Sequence, residues 1–106
     1  IMAFKIKAPY TIDNTPVYRV EFKDPAVHGV TLNTGCIVIN KNLPKDVEEQ
    51  TISHEKVHTD QIMRGDLYYD DKYVYWKGKK YLRSKMNEGD KNLPWEKEAY
   101  AKQKKI

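Results

Sequence analysis

Three side chains capable of metal binding or proton transfer fall within five residues of this chain, in the order His54-Glu55-Lys56-Val57-His58. On a helix, positions i and i+4 share a face, so both imidazoles can reach one metal ion while Glu55 stands beside them. Zinc suits such a pair. It lowers the pKa of a bound water, and a neighbouring carboxylate can take the proton. That chemistry is metal-assisted hydrolysis, usually of a peptide bond. The chain has three histidines in 106 residues, and with so few the H-E-x-x-H pattern arises by chance in roughly half a percent of chains of this composition.

The motif needs a helix, and its flanks supply one. Pro44 suits a first turn, where its missing N–H costs little. Asp46, Glu48 and Glu49 follow, where the helix dipole favours negative charge. Gly65 after Arg64 is a stop signal. The expected helix therefore covers about residues 44–64. Turned at the helical period, Val47, Gln50, Thr51, His54, Val57, His58, Gln61 and Ile62 form one stripe, so both histidines lie on the inward face. Two hydrogen-bonded core histidines would be the plainer reading. Their spacing, with Glu55 between, favours zinc.

A catalytic zinc site wants a third protein ligand beside its water. The extended pattern H-E-x-x-H-x-x-G-x-x-H is absent, because its later positions hold Gln61 and Arg64. A second helix over Asn92–Ala101, with Asn92 and Pro94 as start residues, offers Glu96 and Glu98. These two point to nearly opposite sides of a helix, so only one is expected inside.

With these residues the chain resembles the gluzincin zinc metallopeptidases, particularly small phage- and bacteria-encoded members. The resemblance rests on His54-Glu55-Lys56-Val57-His58, on Gln61, and on the Pro-Trp-Glu-x-Glu-Ala stretch 94–99, and it covers roughly residues 35–101. It implies that the third ligand is Glu96, the glutamate of an E-x-x-x-D-like segment. Tyr100 stands where the family has Asp, a residue that commonly supports a ligand histidine. Only its hydroxyl could do so here. Glu98 is the alternative ligand. The strand before the metal helix is expected to form the edge along which a peptide substrate lies extended.

The elements that must position these residues are legible in outline. One domain is expected over residues 1–106. At 40% hydrophobic and 11% aromatic the chain has the makings of a core. Phe4–Ala8 and Pro16–Phe22 alternate as strands do, and Thr34–Asn40 reads as a buried strand. His28 sits in the Lys23–Gly29 loop, as a surface side chain or, if the loop folds over the metal, as a substrate or oxyanion contact. Cys36 is the single cysteine, which excludes an internal disulfide and marks a small buried hydrophobe. Leu67–Tyr69 and Lys72–Trp76 read as strands, with a turn at Trp76-Lys77-Gly78-Lys79 and a return over Lys80–Arg83.

The fold expected is α+β: a small antiparallel sheet packed on the H-E-x-x-H helix, then a β-hairpin, then a C-terminal helix, a minimal zincin-like arrangement. The function expected is a zinc-dependent metallopeptidase. Zn2+ is held by His54, His58 and Glu96, Glu55 is the general base for a zinc-activated water, and the partner is a peptide or protein substrate. The oxyanion donor is left open among Tyr100, His28 and the tyrosines Tyr68, Tyr69 and Tyr73. Two other classes stay open. One is an inactive zinc-binding structural or interaction protein. The other is a basic nucleic-acid-binding module using the 72–83 hairpin, disfavoured against a half-buried hairpin with solvated lysines. No signal peptide and no apolar run long enough for a membrane span are seen, so a cytoplasmic location is expected.

Overall fold

The structure, a computed structural model, describes residues 15–105. The expected strand Phe4–Ala8 lies outside them. The elements run β1 (Val17–Val20), β2 (Gly29–Thr31), β3 (Ile37–Asn40), α1 (Lys45–Met63), β4 (Leu67–Tyr69), β5 (Tyr73–Trp76), β6 (Lys79–Leu82), a 3-10 turn (Arg83–Lys85) and α2 (Pro94–Lys102). The chain is α+β: two helices and two small sheets among the described residues.

The first sheet has the order β1-β3-β2. It is mixed, not antiparallel as expected. Val17 to Val20 run parallel to Ile37 to Asn40, whereas β2 runs antiparallel to β3. A parallel pair needs a long crossover, and residues 21–36 provide it, passing through β2 on the way. The interior place falls to β3, whose Ile37 and Ile39 are fully buried. This overturns the expectation that Thr34–Asn40 offers an edge to substrate. The edge strand packed against the helix Lys45–Met63 is β2 instead, a strand too short to be read from its sequence. Hydrogen bonds from Leu32 N–H to Cys36 O and from Asn40 N–H to His28 O fix its ladder. Alternation then turns the backbone groups of Gly29 and Thr31 away from β3, and no described strand pairs with that side.

The helix α1 lies across β2 and β3. Gly29 permits the approach: a Cβ there would meet Thr51 Cγ2 at 3.0 Å and Ile39 Cγ2 at 3.1 Å. Pro44 precedes the helix and Asp46 and Glu48 occupy its first turn, so the start and stop signals in the sequence place it within one residue at each end.

The strand read at Leu67–Tyr69 pairs with the expected hairpin. β4, β5 and β6 form an antiparallel meander. Its tight turn is Lys77-Gly78, both at positive φ, 49° and 83°, as a type I′ turn requires. Leu67 and Val74 from this sheet pack on Trp95 of α2, which is 3% exposed. Tyr81 meets the Trp95 ring edge-on at 5.1 Å. Trp95→Ala is expected to cost about 3–5 kcal/mol, read as a lowered midpoint in urea unfolding. No helix among the described residues is long and apolar enough to cross a membrane.

Candidate metal centre

The helix α1 presents His54 and His58 toward α2, and α2 presents Glu96 back. His54 Nε2 lies 2.9 Å and His58 Nε2 3.2 Å from the same carboxylate oxygen, Glu96 Oε1. The three residues offer ligand atoms all within 4.8 Å of one another. His58 is 3% exposed. Burial alone would lower its pKa, but the hydrogen bond to Glu96 and the nearby Glu55 carboxylate outweigh burial and raise it. Burial would likewise push Glu96 up, and the two histidines instead hold it down at about 2. Glu96 is thus ionised at any neutral pH.

The outer faces of the histidines decide what this cluster suits. His58 Nδ1 is 2.8 Å from Gln61 Oε1. The Gln61 amide nitrogen donates to Trp95 O at 3.0 Å and to Glu98 Oε1 at 2.8 Å. Those two acceptors leave the amide only one sensible orientation, so its oxygen faces the imidazole and His58 Nδ1 carries the proton. A neutral His58 then points the lone pair of Nε2 at a carboxylate oxygen. Acceptor faces acceptor unless a positive charge lies between them. Either the imidazole is protonated or a cation sits there. Two imidazole nitrogens and one carboxylate oxygen, with the tautomer of a ligand fixed from behind, are a donor set that fits zinc. Gln61→Met is expected to lower zinc affinity about 10–100-fold, measured by competition with a chromophoric chelator.

The remaining ring nitrogen, His54 Nδ1, is 2.8 Å from Gln103 Oε1. Tyr100, which stands where the resembling family has a supporting Asp, does not take that role. Its ring meets the His54 ring edge-on at 4.6 Å, and its hydroxyl makes no hydrogen bond among the described residues. Gln103 was missed in the sequence. It lies seven residues after Glu96, two turns along and on the same face, but just past the expected helix end.

Glu98 goes elsewhere. It accepts from Arg64 at 2.8 Å and from Lys102 at 2.8 Å. The Arg64 guanidinium, first among its neighbours, holds its carboxyl down at about 2. Arg64 also binds Asp60 and Asp66, so this cluster ties the end of α1 to α2.

Glu55 is buried, and the Thr31 hydroxyl donates to its Oε1 at 2.7 Å and also approaches its backbone oxygen at 3.1 Å. Thr31 belongs to β2, so the edge strand and the carboxylate are locked together. Both front a cleft of about 840 Å3 that also contains His54, His58, Glu96 and Tyr69. Exposed His28 lines the same cleft. The Tyr69 backbone is pinned by Asn33, which accepts from its N–H at 3.0 Å and donates to its carbonyl oxygen at 2.8 Å. Burial, then the charges of Glu55 and Glu96, push the Tyr69 hydroxyl pKa far up, so it stays a donor. That hydroxyl has no hydrogen-bond partner among the described residues. Tyr68, its neighbour, faces the opposite side and is 54% exposed.

No family model, curated protein or solved structure matches this chain. The functional reading therefore rests on its own residues.

Proposed function

We propose that this chain is a zinc-dependent peptidase of gluzincin type. The observation that carries the reading is the convergence of His54, His58 and Glu96 on one point, with Glu55 beside them and an open cleft in front. Zinc bound there would supply Lewis acidity, lowering the pKa of a water in its open position toward about 7.

The chain's own groups divide the rest of the work. Thr31 holds Glu55 Oε1 and leaves the second carboxylate oxygen to accept the proton of the attacking water. Glu55 then returns that proton to the leaving amine. The Tyr69 hydroxyl donates to the oxygen of the scissile carbonyl as charge develops on it. Tyr69→Phe is expected to lower kcat about 10²–10³-fold with little change in KM, measured by steady-state kinetics on a cleaved peptide. A substrate strand adds to the open side of β2, where the backbone groups of Gly29 and Thr31 are turned outward, and this backbone pairing sets its direction.

A structural zinc site closes its fourth position with protein. Among the described residues only three join the cluster, and they front a cleft, which favours catalysis over a structural role. The test is digestion of a peptide library by zinc-loaded protein, read by mass spectrometry. New termini that vanish with a chelator and return with added zinc are expected. Peptides left intact by fully loaded protein would contradict the proposal.

A further inference from the structure

The two histidines of the cluster are held from behind in different ways. His58 is supported within its own helix, because Gln61 stands three residues on and meets Nδ1 with its Oε1. The equivalent position for His54 is Val57, whose side chain accepts nothing. His54 is also the more open of the two, its side chain 12% exposed against 4% for His58. Its support has to come from outside α1, and it comes from the residues that follow α2. Gln103 leaves that helix in an extended conformation, φ −66° and ψ 154°, and places its Oε1 2.8 Å from His54 Nδ1.

The next residue keeps Gln103 there. The Lys104 N–H donates to Ser53 Oγ at 2.7 Å, and the Gln50 amide nitrogen donates to Lys104 O at 3.2 Å. The Ser53 hydroxyl gives its own proton to Gln50 O at 2.8 Å, so its lone pairs are free to accept. Lys104 Nζ also meets Glu49 Oε1 at 2.6 Å, a surface pair of small worth. Both backbone groups of one extended residue are thus gripped by two α1 side chains three positions apart, on the turn that carries His54. Packing of the core does not ask for this grip. Gln103 is half-buried, Lys104 is exposed, and neither joins the cluster around Trp95.

We propose that residues 103–104 form a strap that aims His54 at the metal, with Gln103 the positioning residue and the Gln50–Ser53 grip its anchor. The proposal rests on the zinc reading of the cluster. Unlike that of Gln61, the Gln103 amide nitrogen has no acceptor among the described residues, so the amide can turn over. It can therefore support His54 in either tautomer. It accepts from Nδ1–H when Nε2 offers a lone pair to a metal, and donates to Nδ1 when Nε2–H donates to Glu96 Oε1, 2.9 Å away. The ring keeps its aim in both. A ring already held loses less freedom when it takes up an ion, and that difference appears as affinity.

The test is zinc affinity of the whole chain, by competition with a chromophoric chelator, for the wild type and three variants. Gln103→Met keeps the side-chain length and removes the acceptor, whereas Gln103→Glu keeps an acceptor. Ser53→Ala frees the Lys104 N–H without touching the cluster, and alanine is the better helix former, so α1 is not weakened. Gln103→Met is expected to lower affinity about 10–100-fold, and Gln103→Glu to stay near the wild type. Ser53→Ala should fall too, by less than Gln103→Met, with circular dichroism confirming an unchanged fold in all three. Wild-type protein that binds zinc no better than Gln103→Met would overturn the strap and leave the zinc reading standing. Equal losses in Gln103→Met and Gln103→Glu would overturn the positioning role, since bulk and not the acceptor would then matter. Full affinity in Ser53→Ala would overturn the anchor. Wild-type protein that takes up no zinc would overturn both readings together.

Discussion

Glu55→Gln is expected to leave zinc bound and to lower kcat about 10²–10⁴-fold, the range general-base catalysis supplies. The substitution is close to isosteric. The Thr31 hydroxyl, now 2.7 Å from Glu55 Oε1, can donate equally to an amide oxygen, so the side chain keeps its place. An amide cannot accept the water proton. Glu55 is also outside the group whose ligand atoms converge, so metal content should not change. Steady-state kinetics on a cleaved peptide, with zinc content measured on the same sample, checks both halves. Loss of zinc would make Glu55 a ligand, and a change confined to KM would remove it from the proton transfer.

Glu96→Ala and Glu98→Ala should separate cleanly. Glu96 Oε1 is the atom on which both histidines converge. Its removal takes one of the three proposed ligands, and zinc affinity should fall by more than the 10–100-fold that loss of an outer supporting group costs. Glu98 is two residues away on the same helix but faces Arg64, Lys102 and Gln61. Glu98→Ala should retain zinc to within that 10–100-fold range, because Gln61 keeps its bond to Trp95 O. It should cost about 1–2 kcal/mol of stability, as a partly exposed charge network does. Calorimetric zinc titration and urea unfolding of the two variants give the two readouts. Equal zinc loss in both would mean that α2 is needed only as a whole.

How much of this was legible in the sequence depends on the range of the signal. The α1 helix was, because Pro44, Asp46, Glu48 and Gly65 act locally at its ends. The opposite facing of Glu96 and Glu98 was also legible, because helical geometry alone separates them. The sheet was legible only in part. β2 spans just Gly29–Thr31, too few residues for alternation to show. The parallel pairing of β1 with β3 is decided by where the intervening chain packs, which no local pattern records. Tyr69 could not be singled out from Tyr68 and Tyr73, because alternation separates the two faces of a strand without saying which one fronts the cleft. Gln103 was hidden by a boundary: the expected helix stopped at Ala101, and the observed one ends at Lys102 with Gln103 as its cap. Small boundary errors of this kind matter most when a supporting residue sits on the last turn.

The central claim is that His54, His58 and Glu96 hold one zinc ion. Its most direct test is the metal content of protein purified without chelator, by mass spectrometry, for the wild type beside His58→Ala. About one zinc per chain in the wild type and almost none in the variant is the predicted result. Wild-type protein that carries no zinc and takes up none when it is added would contradict the account.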